Sequence, residues 1–209
     1  MIAIVDYNAG NLTSVARALA KIGYDHRITG DPTEIENAER VIFPGVGAAG
    51  SAMESLKRSG LDEALREVLQ KGKPLLGICL GTQIILEKSR ENNADCLGLI
   101  KGDVRHFPPD MTDSGGCRLK IPHMGWNTIA LTIDHPVFAD CPAEAEFYFV
   151  HSYYPVPMNE ESVIATTDYG IAFASVIGHY NLVACQFHPE KSGRPGLRIL
   201  ENFCRWRPC

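Results

Sequence analysis

The feature that most constrains the fold is the alternation of buried strands and amphipathic helices through the first half of the chain. The segment IAIV is short and uniformly apolar, as a strand buried on both faces is. In the segment NLTSVARALAKIG that follows, Leu12, Val15 and Leu19 fall on one helical stripe. Gly23 stands where a glycine often ends a helix. The pattern continues through the strand-like segments HRIT, RVIF and KPLLGI and the helix-like segments SAMESLKRSG, LDEALREVLQKG and LGTQIILEKS.

This alternation predicts the α/β class: an open, mostly parallel twisted sheet with helices on both faces. The second half is strand-like and rich in turns, so additional antiparallel strands are expected there. The segment IGHYNL is typical of a hairpin turn, and GRPGLRILENFCRW predicts a closing helix. No repeat, low-complexity segment or linker interrupts the chain, and residues 1–209 are predicted to form a single domain.

Cys79 lies where this predicted fold would place a functional site. It ends an apolar strand and opens a helix, and ligands of open α/β sheets bind at the carboxyl ends of the strands. Gly77 and Gly81 permit a sharp turn around it, as in a nucleophile elbow. In that geometry the backbone N–H of Leu80 would face a developing oxyanion. The position favours a nucleophile, although a glycine-flanked cysteine is more often structural.

A nucleophilic thiol also needs a partner, because an ordinary cysteine has a pKa of about 8.5 and is mostly protonated at neutral pH. A helix N-terminus contributes about 0.3–1 kcal/mol, whereas an imidazolium about 4 Å away contributes about 4 kcal/mol at an effective dielectric constant of about 20. Of the seven histidines, His188 has the most suitable context: it ends the buried segment VACQF and is followed by Pro189 and Glu190. Glu190 could orient His188, which predicts a Cys-His-Glu triad. A solvated His-Pro-Glu turn is the alternative.

Composition excludes several other classes of function. The net charge is −5 and no basic cluster occurs, so neither nucleic acid nor an anionic membrane is expected as a partner. The start MIAIVDY lacks a basic region typical of signal peptides, and no apolar run approaches the roughly 20 residues that span a bilayer. The seven cysteines include no C-x-x-C pair, which argues against a disulfide framework or a zinc site. We therefore expect a cytoplasmic protein without a metal or cofactor.

Together, GICLGTQ and QFHPEKS resemble the paired motifs of the class I, triad-type glutamine amidotransferases. The segments VDYNAGNLTSV, PGVGAAGSAM, KIPHMGWN and FYFVHSYY narrow this resemblance to the glutaminase subunits of imidazole glycerol phosphate synthase. The resemblance covers nearly the whole chain. It implies that Cys79 attacks the side-chain amide of L-glutamine, that His188 transfers the proton, and that Glu190 orients His188. Glutamate and ammonia are the implied products.

The resemblance also implies roles for residues around the triad. An N–H of the PGVG segment, at Val46 and Gly47, would complete the oxyanion hole beside Leu80. In the family this N–H often points away until the partner loads its substrate, so we expect slow hydrolysis by the isolated chain. Gln83 lies one helical turn after Cys79 and is placed to bind glutamine. Ser152 and Tyr153 match family positions that hold the substrate's α-amino and carboxylate groups.

The implied partner is the cyclase subunit, a (β/α)₈ barrel that uses the ammonia to make imidazole glycerol phosphate and AICAR in histidine biosynthesis. The resemblance implies that the two subunits form a heterodimer. Family interface positions correspond to Met124, Trp126, Tyr148 and Lys191. Two departures from the family pattern are Thr82, where methionine is usual, and Ala49, where an aromatic residue is common.

Three alternatives remain open from the sequence. The chain could be the glutaminase subunit of another synthase, such as that for anthranilate, aminodeoxychorismate or carbamoyl phosphate. KIPHMGWN and PGVGAAG argue against these subunits. It could be a non-catalytic regulatory module of the same fold, against which the intact Cys79, His188 and Glu190 argue. A self-sufficient peptidase or γ-glutamyl hydrolase would act without any partner.

Overall fold

The structure is a computed structural model that describes residues 1–8, 11–113 and 115–208. Within these residues the strands are β1 (Ile2–Val5), β2 (His26–Thr29), β3 (Arg40–Gly45), β4 (Leu75–Cys79), β5 (Lys88–Ser89), β6 (Ala94–Asp95), β7 (Gly102–His106), β8 (His123–Thr128), β9 (Ala130–Leu131), β10 (Glu146–His151), β11 (Tyr153–Pro157), β12 (Val163–Asp168), β13 (Ala172–His179) and β14 (Leu182–Cys185). The α-helices are α1 (Leu12–Lys21), α2 (Pro32–Asn37), α3 (Ala49–Ser59), α4 (Leu61–Gln70), α5 (Leu80–Ile84) and α6 (Gly193–Arg205). Short 3₁₀ helices cover Glu91–Asn93, Pro136–Phe138, Glu160–Ser162 and Pro189–Lys191.

The described strands form one large sheet and two small ones. The large sheet has the order β2-β1-β3-β4-β14-β13-β12-β9. Its first five strands pair in parallel, and β13, β12 and β9 add antiparallel strands. The small sheets have the orders β10-β8 and β11-β7-β5-β6. The predicted mostly parallel sheet with additional antiparallel strands from the second half is confirmed.

Alternating side chains of the parallel strands bury two separate cores. Ile2 and Ile4 of β1 pack on one face with helices α1 and α6, while Ala3 and Val5 pack on the other face with α2, α3 and α4. The division follows from the two-residue period of a strand, which sends successive side chains to opposite faces. Helices cover both faces, which is why β1 is apolar at every position.

The sequence-based prediction of a long helix beginning at Leu80 is wrong. Helix α5 ends at Ile84, and the chain then forms β5. The backbone N–H groups of Leu97 and Leu99 donate to the carbonyls of Ile84 and Ile85, so a later segment satisfies the carbonyls that a longer helix would have used. The hairpin turn at Tyr180 and Asn181 and the closing helix α6 agree with the prediction. Among the described residues, no helix is both long enough and apolar enough to cross a membrane.

Candidate active site

Cys79 occupies a strained turn between β4 and α5. Its φ of 55° and ψ of −109° are unusual for a residue with a side chain. A Cβ added at Gly77 would lie 2.8 Å from the Cβ of Ala184, and one added at Gly81 would overlap the carbonyl oxygen of Phe43. Both glycines are therefore needed for the close approach of the turn to β3 and β14. The strain is concentrated on the predicted nucleophile, as in a nucleophile elbow.

His188 and Glu190 form a buried pair just beyond β14. Nδ1 of His188 lies 2.8 Å from Oε1 of Glu190, and their side chains are 2% and 1% exposed. The backbone N–H of His188 donates to the carbonyl of Tyr148, which fixes the main chain that carries the imidazole. The carboxylate accepts from Nδ1–H, so Nε2 is left to face the other way. The alternative of a solvated His-Pro-Glu turn is wrong, because both side chains are buried.

The imidazole also interacts with the predicted nucleophile. Burial alone would lower the pKa of His188, but hydrogen bonding with Cys79 and Glu190 outweighs it and raises that pKa to about 9. Nε2 of His188 has no hydrogen bond of ordinary geometry within the described residues. The thiol is therefore close enough to influence the imidazole without forming an aligned bond, as is common before substrate binds. The structure brings Cys79, His188 and Glu190 together.

A cavity of about 360 Å³ opens beside the sulfur. Cys79 and His188 line it, and so do the predicted oxyanion and substrate residues: Val46, Gly47, Leu80, Gln83, Ser152 and Tyr153. Gln83 is itself held in place, because its Nε2 donates to the carbonyl of Tyr153 at 2.9 Å and to Oε1 of Gln186 at 3.1 Å. Residues from β3, β4 and the end of β14 meet at one edge of the sheet, as the parallel topology requires.

Three polar residues of the site were not predicted from the sequence. Glu91 lines the cavity, and its Oε2 accepts the N–H of Ala49 at 2.7 Å. His151 lines the cavity and binds the carbonyl of Tyr153 through Nδ1 at 2.8 Å. Gln186 is fully buried with its Nε2 3.9 Å from the sulfur of Cys79. Glu91 lies outside the recognised motifs and gave no signal, whereas Gln186 belongs to the quoted QFHPEKS segment.

The two departures from the family pattern have specific contacts. The hydroxyl of Thr82 donates to the carbonyl of Cys185 at 2.6 Å, which links helix α5 to β14 directly behind the elbow. Ala49 is fully buried at the start of α3. Since Glu91 accepts its N–H, this position fixes the cavity wall next to Val46 and Gly47.

The predicted interface residues form one patch beside the cavity. Met124 and Trp126 of β8 are 62% and 54% exposed. Tyr148 of β10 pairs with Trp126 across the two-stranded sheet, with ring centroids 5.9 Å apart, and the ammonium of Lys191 lies 5.7 Å from the Tyr148 ring centre. Exposed aromatic and apolar side chains of this kind are typical of a protein interface.

Comparison with known proteins shows the class of protein to which this chain belongs. The family model described as glutamine amidotransferase class-I matches residues 3–206. The structure of PurLQS from Thermotoga maritima superposes with a TM-score of 0.75 at 16% identity, covering 98% of this chain and 97% of that one. The fold is thus shared at low identity, and the family match spans almost the whole sequence. The chain belongs to the class-I glutamine amidotransferase family.

Nearer relatives define the particular subunit. A protein of Nitratidesulfovibrio vulgaris strain DP4 is 55% identical over 99% of this chain and 96% of its own length, and one of Neisseria meningitidis serogroup B is 47% identical over 98% of this chain and 99% of its own length. Both are named imidazole glycerol phosphate synthase subunit HisH. Within the amidotransferases, this chain is a member of the HisH family.

Proposed function

We propose that this chain hydrolyses L-glutamine to glutamate and ammonia and supplies the ammonia to the cyclase subunit of imidazole glycerol phosphate synthase. The whole chain, residues 1–209, would act as one amidotransferase domain in the cytoplasm. One observation carries the proposal: the strained thiol of Cys79 and the buried pair of His188 and Glu190 converge on a cavity large enough for an amino acid. The similarity to HisH subunits of imidazole glycerol phosphate synthase supports the assignment to histidine biosynthesis.

The chemistry follows from the positions of these groups. Because the raised pKa of His188 favours its protonated form, the thiol proton of Cys79 already lies on Nε2, and the resulting thiolate attacks the side-chain amide carbon of glutamine. When the carbon–nitrogen bond breaks, His188 returns that proton to the leaving nitrogen, which departs as ammonia. Water then adds to the thioester, and glutamate leaves as the thiol is restored. Glu190 keeps the imidazole in the required tautomer through its bond to Nδ1.

The cavity wall supplies the remaining functions. The backbone N–H of Leu80 and an N–H of the Val46–Gly47 segment would stabilise the tetrahedral oxyanion, and losing one such donor costs about 3–4 kcal/mol in comparable enzymes. Gln83, Ser152 and Tyr153 would hold the polar groups of glutamine. Glu91 lines the cavity and accepts the Ala49 N–H through Oε2, and its Oε1 would meet the substrate's ammonium.

The exposed patch of Met124, Trp126, Tyr148 and Lys191 is the proposed surface for the cyclase, a (β/α)₈ barrel, in a heterodimer. The patch and the cavity share Lys191, since this residue lies over Tyr148 and also lines the cavity. A partner docked there would close the mouth of the cavity and lie next to the site where ammonia forms. We expect it to stimulate glutamine turnover from a slow basal rate.

The test measures glutamate release by the purified chain, alone and with purified cyclase, with and without the cyclase's nucleotide substrate. We expect slow release by the isolated chain, faster release in the loaded complex, and none by Cys79→Ser in either case. Cys117→Ser is the matched control, because Cys117 is an exposed thiol outside the cavity. Full turnover without a partner would instead favour a self-sufficient hydrolase. No turnover under any condition would favour a regulatory module.

A further inference from the structure

One buried amide beside the nucleophile has no role in the mechanism above. Gln186 lies two residues before His188, with no solvent exposure. Its Nε2 is 3.9 Å from the sulfur of Cys79, and its Oε1 is 3.1 Å from Nε2 of Gln83. It thus lies between the nucleophile and a predicted substrate-binding residue.

The orientation of this amide follows from a neighbouring backbone carbonyl, which can accept hydrogen bonds but cannot donate them. The carbonyl of Tyr153 can only accept, so the group of Gln83 that faces it at 2.9 Å must be the NH₂. The same NH₂ faces Gln186, which must therefore present its oxygen to Gln83. Hence the NH₂ of Gln186 is the group that faces the Cys79 sulfur, and it can donate a hydrogen bond there.

The carbonyl of Tyr153 accepts a second hydrogen bond, from the ring of His151. Nδ1 of His151 lies 2.8 Å from it and must be the protonated nitrogen, because the carbonyl cannot donate. Nε2 of His151 then accepts from Nδ1 of His123 at 3.1 Å. Burial lowers the pKa of both histidines, to about 3 and about 4 respectively, so both rings are neutral at pH 7 and suit this one-directional chain. These hydrogen bonds hold the Tyr153 carbonyl in place, and this carbonyl orients Gln83 and, through it, the Gln186 amide.

We infer that Gln186 is a positioning residue whose NH₂ holds the sulfur of Cys79 toward the cavity and stabilises its anionic form. The inference rests on the proposed nucleophile. A hydrogen bond to a charged group is among the stronger ones in proteins, and the long distance here places this bond at the weak end of that range. The sulfur would keep this contact while it exchanges a proton with His188 on its other side.

The test is the rate at which iodoacetamide alkylates each cysteine of the full chain at pH 7, followed by mass spectrometry of the peptides. In Gln186→Met the side chain keeps its length and loses the donor, and we expect Cys79 to react about five- to tenfold more slowly. Exposed Cys117 provides an internal reference whose rate stays constant, and buried Cys204 reports folding by staying unreactive. Should Cys204 become reactive, Gln186→Asn replaces it, since its shorter amide cannot reach both neighbours.

Unchanged or faster alkylation of Cys79 in the folded variant overturns the inference. A purely structural role, in which Gln186 only supports Gln83, predicts a higher KM for glutamine with unchanged alkylation. The proposed role predicts instead a lower kcat with KM nearly constant in the loaded complex. Failure of the underlying function is distinguishable, because wild-type Cys79 would then react no faster than Cys117.

Discussion

The buried pair of His188 and Glu190 makes the stability of the fold depend on pH in a direction that can be tested. Glu190→Gln keeps the shape of the side chain and removes its negative charge. In the wild type, hydrogen bonding with Cys79 and Glu190 outweighs burial and raises the pKa of His188 from 6.5 to about 9. The variant retains only the interaction with Cys79, so the pKa of its imidazole should fall back toward the ordinary value.

The sign and size of the change in unfolding free energy follow from the linkage between protonation and folding. A histidine whose pKa is higher in the folded state stabilises that state fully below pH 6.5, and the stabilisation is lost as the pH rises through about 9. At about 1.4 kcal/mol per pKa unit, the wild type should lose about 3 kcal/mol of unfolding free energy over this range. Glu190→Gln removes one of the two partners that raise the pKa and leaves the whole opposing effect of burial, so the variant should lose less than half as much.

The assay is urea unfolding of both proteins at pH values from 6 to 9.5. The difference in unfolding free energy between wild type and variant should be largest at pH 6 and smallest at pH 9.5. Glu201→Gln is the matched control, because that carboxylate makes only partly exposed ion pairs with Arg198 and Arg205. It should leave the pH dependence parallel to that of the wild type. Parallel curves for Glu190→Gln would refute the idea that Glu190 stabilises a charged imidazole.

Three further substitutions test other parts of the structure. Thr82→Val removes the hydroxyl that donates to the buried carbonyl of Cys185 and should lower the free energy of urea unfolding by about 1–3 kcal/mol. Trp126→Ala should weaken binding to the cyclase, measured by calorimetry, and stimulation by it, with little change in melting temperature, because the ring is 54% exposed. Gly45→Ala would place a methyl group against the hydroxyl of Tyr7 and should destabilise the fold by about 1–3 kcal/mol, less so when combined with Tyr7→Phe.

Each of these has a control and a contradicting outcome. Thr33 is exposed and controls for the loss of a hydroxyl. Equal losses of unfolding free energy in Thr33→Val and Thr82→Val would show that the buried hydrogen bond of Thr82 does not stabilise the fold. Met158, 74% exposed and outside the proposed patch, controls for Trp126. Equal losses of stimulation in Met158→Ala and Trp126→Ala would contradict the interface. Additive effects of Gly45→Ala and Tyr7→Phe would show that the two groups do not collide.

Local sequence patterns and motifs predicted much of the fold and of the candidate site. The period of apolar residues gave the order of strands and helices because a strand buried on both faces and an amphipathic helix leave different signatures. The setting of Cys79 between two glycines gave the elbow, since a close approach of backbones tolerates no side chain there. The predicted helix from Leu80 failed after Ile84, because all of Ile84, Ile85 and Leu86 are buried by tertiary contacts rather than on one helical face.

Local patterns predicted the class of fold and the turn at Cys79, and they marked Cys79, His188 and Glu190 as candidate triad residues. Which groups surround these three depends on how the whole chain packs. Glu91, His151 and Gln186 reach the site from separate segments through contacts between residues distant in the chain, and no local pattern encodes such contacts. The burial of His188 with Glu190 likewise depends on the packing of several strands at one edge of the sheet. Such proximity is a property of the whole packed chain, because the pKa of a side chain responds to what lies near it in space rather than in sequence.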